Sequence, residues 1–156
     1  EIIITATAIA KIYDFLLASI IFVIFLFFYK VNVPSLIFLL PFILLIQIFF
    51  SLGISFILSA ANLFYRDVQY LINLVFMLWF YLTPVIYPVE LAPASVRWIF
   101  QLNPMSVLIN AQRRTIFGQG DLNYTALLIG LVITLIIFEL GYLFFKKLEG
   151  VFADVV

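Results

Sequence analysis

The sequence predicts an all-α integral membrane chain with about four transmembrane helices and one re-entrant pair of half-helices. Three observations carry that prediction. Of its 156 residues, 67% are hydrophobic and 10% charged, whereas a soluble domain carries about a quarter charged residues. A chain of this length cannot bury so much apolar surface in a core of its own, because small domains bury only about two thirds of their surface. The few charges divide the chain into apolar blocks, several of them near the roughly 20 residues a spanning helix needs. Between the last two blocks lies an apolar stretch cut by prolines into pieces too short to cross.

The first helix is expected over about residues 12–29, entered past Lys11 and Asp14 and left at Lys30. The second is expected over about 35–63 in a block without any charge, with Pro34 suited to a helix start, where no amide donor is required. The third follows Arg66-Asp67 and is expected over about 68–86, ended by Pro84 and Pro88. The last is expected over about 123–145, closed by Lys146 and Lys147. The re-entrant pair is expected over about 93–117, where Pro93 and Pro104 interrupt an apolar run that includes Trp98, Phe100, Val107 and Ile116. Asn103-Pro104 reads as an N-cap followed by proline at the first helical position. Arg113 and Arg114 fall in the last turn, where cations suit the helix dipole, and Gly118 is the stop. Irregular backbone at membrane depth is tolerated only against protein or a water-filled cavity.

The domain prediction is therefore one transmembrane domain over residues 1–156. Glu1 opens the chain, and no positively charged start precedes a short apolar run with a small-residue cleavage site. The chain is expected to be the C-terminal part of a longer protein. Four crossings put both ends on one side of the membrane. The positive-inside rule nearly ties: Lys11, Arg66, Lys146 and Lys147 stand against Lys30, Arg97, Arg113 and Arg114. Three of the second set belong to the re-entrant pair rather than to flanking loops, which favours cytoplasmic ends.

Composition also limits the chemistry. There is no Cys and no His, so thiol chemistry, the commonest general base and the commonest metal ligand are missing. Formal net charge is zero, and nothing points to nucleic acid. No paired carboxylates, nucleophile triad or phosphate-cradling glycine loop occurs; Gly118-Gln119-Gly120 reads as a plain loop. No catalytic residue and no metal site is expected.

Several residues admit a functional and a structural reading. Arg66-Asp67 is either a turn that docks a partner or a polar marker of the membrane surface. Phe76, Trp79, Phe80, Tyr81 and Tyr87 offer faces that stack on sugar rings, or form an interfacial aromatic belt. Ser51, Ser55 and Ser59 recur every four residues near Gly53 and Ala60, which predicts close helix packing, with a polar channel lining as the alternative. Arg113 and Arg114 can bind a phosphate headgroup or snorkel to the interface. Glu139, the acidic side chain well inside a spanning block, is a functional candidate or an interface residue.

Four stretches taken together resemble the permeases of ABC-2 type exporters in the polysaccharide branch, which moves O-antigen, capsular polysaccharide or teichoic acid. They are Asn62-Leu63-Phe64-Tyr65-Arg66-Asp67-Val68, then Leu78-Trp79-Phe80-Tyr81-Leu82-Thr83-Pro84-Val85-Ile86-Tyr87-Pro88, then Leu102-Asn103-Pro104-Met105 followed by Arg113 and Phe117-Gly118. The tail Phe145-Lys146-Lys147-Leu148-Glu149-Gly150-Val151-Phe152-Ala153-Asp154-Val155 completes the pattern. The likeness covers nearly the whole chain from about Asp14.

The resemblance implies a six-helix permease working as a homodimer with two ABC ATPase subunits, this chain holding its last four helices. It implies export of lipid-linked polysaccharide across a bacterial or archaeal cytoplasmic membrane, with the C-terminus in the cytoplasm and membrane lipids around it. It implies no enzyme and no cofactor in this chain, ATP and Mg being used by the partner ATPase. It places Arg66 and Asp67 at the ATPase-coupling surface and the re-entrant pair at the outer gate. It makes Phe76, Trp79, Phe80, Tyr81 and Tyr87 substrate-channel candidates, and Arg113 and Arg114 candidates for a headgroup or gate contact. The alternatives are an ABC-2 exporter of drugs or small lipids, an intramembrane lipid-sugar enzyme, and an assembly subunit without transport.

Overall fold

The computed structural model describes residues 2–64, 67–118 and 120–155. The helices are α1 (Ile2–Phe28), α2 (Leu40–Phe64), α3 (Val68–Leu82), α4 (Arg97–Leu102), α5 (Pro104–Phe117) and α6 (Tyr124–Val155). Short 3₁₀ turns occupy Ser35–Leu39, Val89–Leu91 and Ala94–Val96. Among the described residues there is no strand, so the chain is all-α as its sequence predicts.

Three segments are long and apolar enough to cross a membrane: Ile2–Phe28, Ser35–Asn62 and Tyr124–Glu149. α3 is apolar but has only 15 residues. That is ~22 Å at the helical rise, short of a hydrocarbon core of about 30 Å. It stops at Leu82 rather than running to residue 86 because a residue before proline is pushed out of the helical region. Thr83 accordingly takes φ −108° and ψ 126°.

α1 begins at Ile2, well before residue 12. Lys11 and Asp14, expected at the membrane entry, instead pair across one turn of a continuous helix at 3.1 Å. α6 likewise runs on past residue 145, carrying Lys146 and Lys147 into its last turns.

The spine of the molecule is the α2–α6 pair. Its seam depends on two glycines. A Cβ on Gly53 would lie 2.7 Å from the Phe138 Cα, and one on Gly141 would collide with the Gly53 carbonyl oxygen. Small residues let membrane helices approach this closely, where van der Waals contact replaces the hydrophobic drive. Around Gly53 the seam is aromatic: Phe56 packs on Phe138, Tyr142 and Phe145 with centroids 6.2, 5.8 and 5.5 Å away. A second cluster joins Ile43 and Ile46 of α2 to Leu108 and Ala111 of α5, with Leu122 beneath α6.

α5 runs antiparallel beside the first half of α2. Gln112 donates to the Gln47 side chain, and Gly118 ends the helix against Pro34. α4 and α5 meet at Asn103, so the segment is two short helices divided at Pro104, where the sequence predicts a break. By contrast, neither α1 nor α3 contains a buried residue. Both lean on α2 and leave grooves along its remaining faces.

Candidate functional site

The broken end of α3 is held by side chains of α5. Pro84 and the turn and bend that follow leave carbonyl groups with no helical partner, and a buried unpaired carbonyl is costly. The Leu82 carbonyl accepts from Ser106 Oγ at 3.2 Å and from Asn103 Nδ2 at 3.4 Å. Asn103 Nδ2 also donates to Thr83 Oγ1 at 3.1 Å. Arg113 donates to the carbonyls of Pro84 and Val85 at 3.1 Å and of Tyr87 at 3.2 Å. Asn103 does a second task, since its Oδ1 accepts the Met105 N–H at 3.1 Å as the α5 N-cap. Thr83, Pro84 and Ser106 are buried at this elbow.

Beside the elbow lies a groove of about 360 Å³ between α2 and α3. Phe76, Trp79 and Phe80 form one wall, at the i, i+3, i+4 spacing that aligns side chains on one helix face. Gln47, Ser51 and Ser55 contribute polar atoms from α2, and Phe50 meets Trp79 edge-on at 6.3 Å. A flat aromatic face beside hydroxyl and amide groups can hold a sugar ring: the face covers its C–H side and the polar atoms reach its hydroxyls.

The five aromatic candidates are therefore not equivalent. Phe76, Trp79 and Phe80 share the groove. Tyr81 is exposed away from it, in edge contact with Phe80 at 5.8 Å. Tyr87 belongs to the elbow: its hydroxyl donates to the Tyr81 carbonyl and its ring packs on Phe100 at 6.2 Å. Arg114 donates to the Asp121 carbonyl, near the start of α6. Asp67 is exposed just before α3, and Arg66 lies outside the described residues. Glu139 is exposed on α6.

The serine stripe requires a correction. Ser51, Ser55 and Ser59 are exposed, and the close packing falls to Gly53, Ala60 and Gly141. Serines 51, 55 and 59 instead face a second groove, about 600 Å³, between α2 and α1. Gln47 and Ser106 are not among the residues the sequence singles out, and Asn103 stands out there only as a helix cap and in the Leu102–Met105 motif. Gln47 sits four residues before Ser51, so the same spacing that reveals the serines extends to it.

Apolar spanning helices, short helices broken by prolines and the absence of strands among the described residues together define a multi-pass, all-α membrane protein. Residues 1–117 match the ABC-2 type transporter family, and the chain belongs to that family of transporter membrane subunits. It is 38% identical to an O-antigen export system permease protein RfbA of Klebsiella pneumoniae over 133 residues, which is 84% of this chain and 51% of that protein. A second Klebsiella pneumoniae protein of that name is 36% identical over 135 residues, 85% of this chain and 51% of the relative. An RfbA of Myxococcus xanthus is 39% identical over 75 residues, 47% of this chain and 29% of the relative. The chain spans about half the length of the Klebsiella relatives it matches.

Proposed function

We propose that the chain is the membrane-channel part of an ABC exporter that moves lipid-linked polysaccharide across the cytoplasmic membrane, driven by a separate ATPase. The observation that carries this reading is the groove in which Phe76, Trp79 and Phe80 face Gln47, Ser51 and Ser55. Stacking on an aromatic face tolerates different sugars and binds weakly, which suits a polymer that has to slide. Likeness to O-antigen export permeases supports the same substrate class. An exporter of drugs or small lipids is the other reading within the family; it has no need of a polar rim along an aromatic wall.

In the proposed mechanism two copies of the permease sit side by side, each bound to an ATPase subunit through the turn at Arg66 and Asp67. Closure of the ATPase pair on ATP moves the permeases and opens the passage. The half-helix pair lies at the outer end, and the chain's C-terminus faces the cytoplasm.

The test is surface polysaccharide in cells whose permease carries Trp79→Ala or Tyr81→Ala, with the complex to the ATPase purified in parallel. Trp79→Ala is expected to lower export roughly tenfold, the scale of one stacking contact of about 1–3 kcal/mol, while the ATPase complex persists. Tyr81→Ala is expected to change export little. Polysaccharide that reaches the surface without this permease sinks the reading. So does normal export by the Trp79 variant.

A further inference from the structure

We infer that Arg113 is a positioning residue: with Asn103 and Ser106 it pins the C-terminal end of α3 to α5 and so fixes the Trp79 wall of the groove. This rests on the transport reading above. Three features of the packing support it. First, α3 has no buried residue, so within this chain its place depends on side contacts such as Phe50–Trp79 and on how its ends are held. Second, α5 is firmly seated: Ser106, Leu108, Ala111 and Thr115 are buried, and Leu108 and Ala111 join the core with Ile43 and Ile46 of α2. Third, the two are joined at one place, where the carbonyls of Leu82, Pro84, Val85 and Tyr87 accept from α5 side chains. A weakly packed helix takes its place from its two ends, and this end is set by α5.

Arginine suits this place for a geometric reason. Its planar fork presents several fixed donors, so one side chain spans carbonyls of residues 84, 85 and 87. A lysine ammonium keeps the charge but lacks the fork. The bonds are charge-assisted and stand beside buried Thr83 and Pro84. A guanidinium engaged in this way is turned towards protein backbone, which separates the latch role from capture of a phosphate headgroup. Those two roles differ in what lysine does: a phosphate ligand tolerates it, and a fork-shaped latch does not.

The experiment uses the full-length permease with its ATPase. Thr83→Cys places a thiol at a site only 3% exposed, and its rate of reaction with a small maleimide reports whether the elbow is closed. Adding Arg113→Lys is expected to raise that rate about tenfold, the weight of one charge-assisted hydrogen bond, and to lower export by a similar factor at unchanged protein level. An unchanged labelling rate in the Arg113→Lys protein overturns the latch. Unchanged export alongside faster labelling in the Arg113→Lys protein overturns the positioning role, since the groove then does not depend on the elbow. The labelling rate is read without any substrate, so a protein that exports no polysaccharide but shows faster labelling retires the transport reading and leaves the latch standing.

Discussion

At Gly53 two effects of adding a methyl group oppose each other. Alanine is favoured over glycine in a helix by about 1 kcal/mol. The new Cβ, however, would lie 2.7 Å from the Phe138 Cα and 2.8 Å from its amide nitrogen. These are backbone atoms, which cannot rotate away, and overpacking of a tight site costs about 1–3 kcal/mol. The clash wins, so Gly53→Ala is expected to lower the melting temperature of the detergent-solubilised protein. Gly130 supplies the control: the nearest atom to its added Cβ is Val107 Cγ1 at 3.9 Å, an ordinary contact, and Gly130→Ala is expected to melt at or above the wild-type temperature. Equal melting of both variants would remove the close α2–α6 seam. The same residues explain a misreading of the sequence. Ser51, Ser55 and Ser59 and Gly53 were all visible as small residues, but position 53 is rotated about 200° from position 51 at 3.6 residues per turn. Smallness was legible. Which of two opposite faces met α6 was not, because a helix apolar nearly all round gives no direction to its packing.

Among the elements, proline was the most informative signal. Pro104 marked the start of α5, and Pro84 ends α3 at Leu82, four residues short of the expected residue 86; both follow from local stereochemistry. What the sequence did not reveal is where the freed carbonyls of α3 find donors, since Ser106 and Arg113 are 24 to 29 residues away from them. Asn103 joins the local and distant parts, and its two roles can be separated. Asn103→Ser keeps a side-chain oxygen able to accept the Met105 N–H, but it is too short to replace the amide donor to Thr83 and Leu82. Asn103→Ala loses both. A helix N-cap is worth about 1 kcal/mol, so the serine variant is expected to unfold at a temperature between those of the wild type and Asn103→Ala. If serine and alanine melt together, the cap contributes nothing and the distant bonds account for the whole effect. The start of α1 is hidden in the sequence for a related reason. Lys11 and Asp14 look like a membrane boundary, yet a pair at this spacing neutralises itself on a helix surface.

For the whole molecule, the orientation in the membrane follows from how the cations are used. By number alone they tie, with Lys11, Arg66, Lys146 and Lys147 on one side and Lys30, Arg97, Arg113 and Arg114 on the other. The positive-inside rule counts cations in loops that flank spanning helices. The three arginines of the second set are engaged within the folded segment. Arg97 donates to the Ala92 carbonyl at 3.0 Å, Arg113 to the elbow, and Arg114 to the Asp121 carbonyl. Each has a structural reason for its position that would hold on either side of the membrane, so each weighs little in the count. Lys11 is discounted in the same way by its pair with Asp14, so Lys30 stands against Arg66, Lys146 and Lys147, and the side bearing Asp67 and Lys147 is expected to face the cytoplasm. Single cysteines in the full-length permease test this with a maleimide that cannot cross the membrane. On intact cells, or spheroplasts where an outer membrane shields the protein, a thiol at Val31 or Asp121 is expected to react. One at Asp67 or Lys147 is expected to react only after lysis. Reaction of Asp67→Cys in the intact preparation would reverse the orientation. It would also place that turn on the side away from ATP, leaving the proposed coupling surface without an ATPase to meet.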